Sequence, residues 1–127
     1  MSKSNKTFHG LRTLTYYVPD MAAAKKWYSQ ILGFEPYFDQ PFYIGYNVGG
    51  FELGLVPAET TTVFGNNAVV YLGVDDAKTS LQRLLSLGAS LHHDIQDVGE
   101  GILVGAVLDP FGNIFGVIEN PQFKIEE

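Results

Sequence analysis

Val107-Leu108-Asp109-Pro110-Phe111-Gly112-Asn113-Ile114-Phe115-Gly116-Val117-Ile118-Glu119-Asn120 reads as strand, tight turn, strand. Pro110 presets φ for a turn, Gly112 tolerates a positive φ, and Asp109 and Asn113 can bond the local backbone. The apolar runs on either side suit strands buried in a sheet.

Upstream of this stretch, one pattern occurs twice. In the first half, 7–18 alternates as a strand, with Leu14, Tyr16 and Val18 on one face and Leu11, Thr13, Thr15 and Tyr17 on the other. Asp20 is placed to cap a helix in which Met21, Ala24, Tyr28, Ile31 and Leu32 recur at helical spacing, with Trp27 at the edge of that stripe and Gly33 at its end. Three short strands follow, 34–39, 42–48 and 51–56, the last two joined at Gly49-Gly50. In the second half, 67–74 is a strand, Asp75-Asp76 caps a helix carrying Ala77, Leu81, Leu84 and Leu85, and Gly88 ends it. An irregular strand at 89–98, a turn at 99–101, and strands on both sides of the Asp109 turn complete the order. Val18-Pro19-Asp20 and Val74-Asp75-Asp76 stand 56 residues apart, and the two helix-ending glycines 55. Such a spacing marks an internal duplication. The expected class is α+β, built from two βαβββ repeats. We expect a single domain over 1–127: repeat 1 at about 7–57, a linker at about 58–66, repeat 2 at about 67–120 and a tail at 121–127.

Composition narrows the function classes. Of 127 residues 46% are hydrophobic and only 17% charged, which is globular and rather apolar. The absence of cysteine excludes disulfides, zinc–thiolate sites and cysteine nucleophiles. A net charge of −6 without a basic patch speaks against nucleic acid as a partner. No apolar run approaches a membrane span, and 1–6 are polar with no apolar stretch after them, so a cytoplasmic protein without membrane contact is expected.

Three stretches together resemble the vicinal oxygen chelate superfamily, the group of glyoxalase I, the bleomycin-resistance proteins and the extradiol dioxygenases. They are Tyr17-Val18-Pro19-Asp20 through Trp27-Tyr28-Ser29-Gln30-Ile31-Leu32-Gly33-Phe34, its repeat Leu72-Gly73-Val74-Asp75-Asp76, and Asp109-Pro110-Phe111-Gly112-Asn113 with Val117-Ile118-Glu119. The resemblance implies that the two repeats form a curved mixed sheet around a concave cavity. In metal-dependent members, four strands each offer one His, Glu or Gln to a divalent metal. The resemblance places those positions at Thr13, Glu52, Val69 and Gly116. Only Glu52 is a good ligand, whereas an open catalytic site wants about three. No cofactor is therefore expected, and a divalent metal is disfavoured. His9 shares the strand parity of Thr13 but stands four residues earlier, roughly 13 Å away along a strand, and His92 and His93, being adjacent, face opposite ways, so none repairs the set.

Strand parity gives an expected lining of Thr13, Thr15, Glu52, Gly54, Val69, Tyr71 and Gly116, apolar with a few polar groups, as small-molecule pockets are. Gly54 and Gly116 are read as leaving room for a ligand. Phe38, Phe42, Tyr43, Tyr46 and Phe111 are read as an aromatic wall able to stack on a planar ligand. Glu52 is the candidate catalytic residue. In an apolar cavity its pKa should rise, making it a general acid or base, and it is equally a candidate anchor for a cation. The resemblance also implies a homodimer. Two functions follow: a metal-independent small-molecule binding protein of the bleomycin-resistance type, its ligand aromatic or cationic, or a glyoxalase-like lyase or isomerase using Glu52 as base or as a partial metal ligand.

Overall fold

The structure is a computed structural model that describes residues 7, 9–64 and 68–123. The chain forms two compact units, 1–57 and 58–127. The expected strand start at Asn67, the end of the linker, Phe8 and the last tail residues lie outside the described residues.

The first unit runs β1 (Thr13–Val18), α1 (Met21–Leu32), β2 (Phe38–Gln40), β3 (Tyr43–Val48) and β4 (Phe51–Pro57). Its sheet has the order β1-β4-β3-β2, with β1 parallel to β4 and the other pairs antiparallel. Asp20 caps α1 by accepting the Ala23 N–H at 3.0 Å. Ala24, Trp27, Tyr28 and Ile31 form the buried stripe at i, i+3, i+4 and i+7. Trp27 thus belongs to the core rather than to its edge. Its ring meets Tyr28 edge-on, centroids 4.9 Å apart. The stripe packs on the sheet face that presents Tyr16, Val18, Ile44, Tyr46, Leu53 and Leu55, all buried. The opposite face carries Thr13, Thr15, Asn47, Glu52 and Gly54. Two strands are shorter than the pattern predicts. β1 begins only at Thr13, so His9 has no strand parity, and 34–37 form a loop around Pro36 before β2.

The second unit repeats the plan as β5 (Tyr71–Gly73), α2 (Ala77–Ser86), β6 (Ser90–Gly99), β7 (Ile102–Leu108) and β8 (Ile114–Glu119), in the order β5-β8-β7-β6. The helix ends in a Schellman motif: Ala89 N–H bonds Leu84 O at 3.1 Å and Gly88 N–H bonds Leu85 O at 3.3 Å, with Gly88 at φ 110°. At its other end Asp76 accepts Thr79 N–H, and Glu119, on the helix side of β8, accepts Ala77 N–H at 3.0 Å. Two carboxylates thereby satisfy donors that a helix start leaves free, at the positive end of its dipole.

The opening stretch forms the turn it was read as. Asp109 is the only buried charged residue among those described. Its Oδ1 accepts the N–H groups of Phe111 and Asn113 at 2.9 and 2.8 Å, and its Oδ2 accepts the Asn113 amide at 3.2 Å. One carboxylate thus organises the connection between β7 and β8.

Candidate functional site

In the first unit the register sets Thr13 beside Glu52 on the open face, with Asn47 on the far side of Glu52. One step along the strands, Thr15, Gly54, Gly45 and Phe38 form the next rung. The two central places of this rung are glycines, and aromatic rings occupy the space above them. A Cβ on Gly45 would lie 3.1 Å from both the Tyr37 and Tyr43 rings. A Cβ on Gly54 would collide with the Tyr43 hydroxyl. The glycines are therefore a floor for tyrosines. The room that Gly54 was expected to leave for a ligand is taken by Tyr43.

Both rings point their hydroxyls at Glu52. Tyr37 O–H donates to Oε1 and Tyr43 O–H donates to Oε2. The consequence for protonation is opposite to the sequence expectation. Hydrogen bonds from Tyr37 and then Tyr43 favour the ionised carboxylate and outweigh desolvation, so the Glu52 pKa is lowered. Tyr43, desolvated and tied to an anion, is pushed up to about 12. Tyr37 is raised chiefly by its bond to Glu52. Glu52 is a held anion, and a weak base. A hollow of about 300 Å³ opens beside it, lined by Arg12, Thr13, Tyr37, Asn47, Gly50 and Phe51 as well as Glu52. A larger one, about 510 Å³, lies along α1 between Ala22 and Glu35 and includes none of these groups.

The aromatic residues divide. Phe38 stands at the centre of a patch, with ring centroids 6.5 Å from Tyr37, 6.0 Å from Phe42 and 6.1 Å from Tyr43. Phe42 sits in the turn between β2 and β3 rather than in a strand, and is 66% exposed. Tyr46 was expected in the wall and is not there. Its neighbour Asn47 pairs with Glu52, so Tyr46 faces α1, fully buried, with its hydroxyl bonded to Ser29 and to Lys25 O. Tyr37 was read as part of a strand at 34–39; it lies in the loop before β2, where strand alternation does not apply. The paired glycines Gly45 and Gly54 were its only trace in the sequence.

The second unit has a parallel arrangement. The rung Tyr71, Gly116, Ala106, His93 crosses its sheet. Tyr71 covers Gly116, whose Cβ would lie 2.6 Å from the ring and 2.7 Å from Val70 O. This space, too, is filled. The Tyr71 hydroxyl lies 3.3 Å from His93 Nε2, and His93 Nδ1 lies 3.2 Å from Asp94 O. A carbonyl only accepts, so in neutral His93 the proton sits on Nδ1 and Tyr71 donates to Nε2. Sequence parity set His93 aside. A bulge between Leu91 and His93 makes His92 the extra residue and turns His93 onto the Gly116 face. Val69 precedes β5, outside any strand, and Phe111 is half-buried in the Asp109 turn.

The four positions at which the resemblance implies metal ligands do not fit a divalent ion. Val69 and Gly116 offer no donor, Thr13 offers a neutral hydroxyl, and both Glu52 oxygens already accept phenols. Among the described residues no three His, Asp or Glu side chains are grouped. Nor is any helix among them long and apolar enough to cross a membrane.

Comparison with known proteins bears on the fold as a whole. The model of the Glyoxalase/Bleomycin resistance protein/Dioxygenase superfamily matches residues 10–117. Among solved structures, a glyoxalase-related enzyme from Fulvimarina pelagi is similar with a TM-score of 0.78 and 23% identity, over 94% of each chain. A glyoxalase/bleomycin resistance protein/dioxygenase family enzyme from Burkholderia phytofirmans PsJN gives 0.74 and 18%, over 87% of this chain and 98% of its own. A lactoylglutathione lyase from Agrobacterium tumefaciens gives 0.68 and 21%, over 92% and 98%. At these identities the structural likeness establishes the fold alone. No curated protein matches the sequence significantly.

Proposed function

Because the chain belongs to the glyoxalase/bleomycin resistance protein/dioxygenase superfamily, we propose that it is a metal-independent binding protein for a small organic molecule, of the bleomycin-resistance type. The ligand sits on the Glu52 face of the first unit. The observation that carries this reading is the carboxylate held by Tyr37 and Tyr43 beside a hollow and exposed rings. A fixed negative charge bordered by aromatic surface suits recognition. It suits proton abstraction poorly, since a general base works best with a pKa near the operating pH and Glu52 is shifted the other way. The lyase or isomerase reading with Glu52 as base is thereby weakened.

The test is a thermal-shift and NMR titration with planar aromatic compounds, 2-naphthol among them, on the native protein and on Glu52→Gln. Ligand at about 100 times Kd stabilises by about 2.7 kcal/mol and raises the midpoint. Shifts in the NMR signals of residues around Glu52 support the reading. No binding by any aromatic or cationic compound, or shifts confined to residues outside 9–57, overturns it. We also propose that the protein is a homodimer in a soluble compartment, which sedimentation at twice the 14.0 kDa chain mass would support.

A further inference from the structure

We propose that Tyr37, Phe38, Phe42 and Tyr43, with the Glu52 carboxylate, form a cage for a permethylated ammonium group carried by a small ligand. This deepens the reading of the Glu52 face as a binding surface and rests on it. Three features of the patch point to that chemistry.

First, the rings are contiguous, and Phe38 is stacked face to face on none of its three neighbours: the planes are inclined by 53°, 68° and 55°. Tyr37, Phe38 and Phe42 remain 63%, 37% and 66% exposed. Exposed aromatic surface of this extent, beside a charge, marks an interaction site. The negative faces of several rings attract a cation within about 6 Å.

Second, the patch has an anion that no lysine or arginine among the described residues pairs with, although the Arg12 guanidinium, which keeps its charge, lines the adjoining hollow. Arg12 donates to the His9 carbonyl at 2.8 Å, and Lys25 pairs with Asp39 at 2.6 Å. The net charge of −6 adds a field of the same sign.

Third, each Glu52 oxygen already accepts a tyrosine hydroxyl. Each oxygen keeps one further lone pair, so a primary ammonium with three N–H donors would leave at least one of them against the ring faces, and an unmade hydrogen bond is costly. A trimethylammonium group has no N–H to satisfy. It can lie against the rings and take only the Coulomb attraction of the carboxylate.

The test uses three probes of similar shape on the full chain, followed by NMR titration: choline, ethanolamine and the uncharged isostere 3,3-dimethylbutan-1-ol. Choline should bind about tenfold more tightly than either of the others. Glu52→Gln and Phe42→Leu should each weaken it about tenfold, and because Phe42 is exposed, Phe42→Leu should keep the native thermal midpoint. Equal binding of choline and the alcohol overturns the cage while leaving the binding surface standing. So does binding of 2-naphthol at this face with no binding of choline. If neither aromatic nor cationic compounds bind, the cage and the proposed function fall together. If Phe42→Leu dissociates a dimer without altering choline binding, the rings are an interface between copies and the cage is overturned.

Discussion

Glu52 and its two tyrosines form a single titrating unit, and their shifts have opposite consequences for stability. The folded-state pKa of Glu52 lies below its ordinary 4.5. The stabilisation it provides is therefore present above that value and is lost as the pH falls through the folded one. Tyr43 is raised from 10.0 to about 12, so its contribution is present below pH 10 and is lost as the pH climbs through about 12. Urea midpoints measured from neutral to acid pH should fall less steeply in Glu52→Gln than in the native chain. A phenolate absorbance titration of the same variant should show Tyr43 ionising earlier, because its partner's charge is gone. Removing one phenol, by Tyr43→Phe, should move the Glu52 pKa back toward 4.5, read by carboxyl NMR. A Glu52 pKa unmoved in that variant would mean that the phenols do not hold the anion. Glu52 itself was legible because the family resemblance places a ligand position there and it alone of the four residues is a good ligand. Its protonation was not, since the groups that set it include Tyr37, which was read into a strand at 34–39 and lies in a loop.

The strands show why small residues stand where they do. In each unit the centre of one rung is built from small residues, Gly45 with Gly54 in one and Ala106 with Gly116 in the other, and tyrosine rings lie over the three glycines. The pairing also makes Gly54 and Gly116 counterparts, since Thr15 faces the first and Tyr71, 56 residues on, faces the second. Their substitution should nonetheless differ. In Gly54→Ala the new methyl meets the end of the Tyr43 side chain, which can swing away. Stability should change by less than about 1 kcal/mol, while the Tyr43–Glu52 bond is lost and the Glu52 pKa rises. In Gly116→Ala the methyl also meets the Val70 carbonyl, part of the backbone. That strand must shift, at about 1–3 kcal/mol by denaturant unfolding. Equal costs at the two sites would contradict this account. Both glycines were read from the sequence as space for a ligand. A glycine marks only that something comes close, and here the neighbour is the protein's own ring. His93 was hidden for a related reason. Alternation holds only while the ladder is regular, and the extra residue His92 reverses it at one point without any mark in composition.

Across the whole chain the duplication was the most legible property, because helix caps and helix-ending glycines are local chemistry that survives in sequence. Asp20 and Asp76 both cap their helices, and Gly33 and Gly88 both take positive φ. The closing turn is legible on the same terms, since Asp109 meets its hydrogen bonds within four residues. Tyr46 follows Tyr43 by three residues on one strand, so alternation alone already sends it to the helix face and out of the wall. Net charge, a property of the whole chain, was legible at once, and it supplies a last test of the ligand class. A charge of −6 attracts an organic cation at long range and leaves a neutral one indifferent. Raising the ionic strength from about 0.1 M to about 1 M shrinks the Debye length from about 10 Å to about 3 Å. The apparent Kd for choline should then rise severalfold, and that for 3,3-dimethylbutan-1-ol should stay level. A cation held only by contact with the rings would keep its affinity in salt. Parallel weakening of both probes would instead place the salt effect on the protein's own fold.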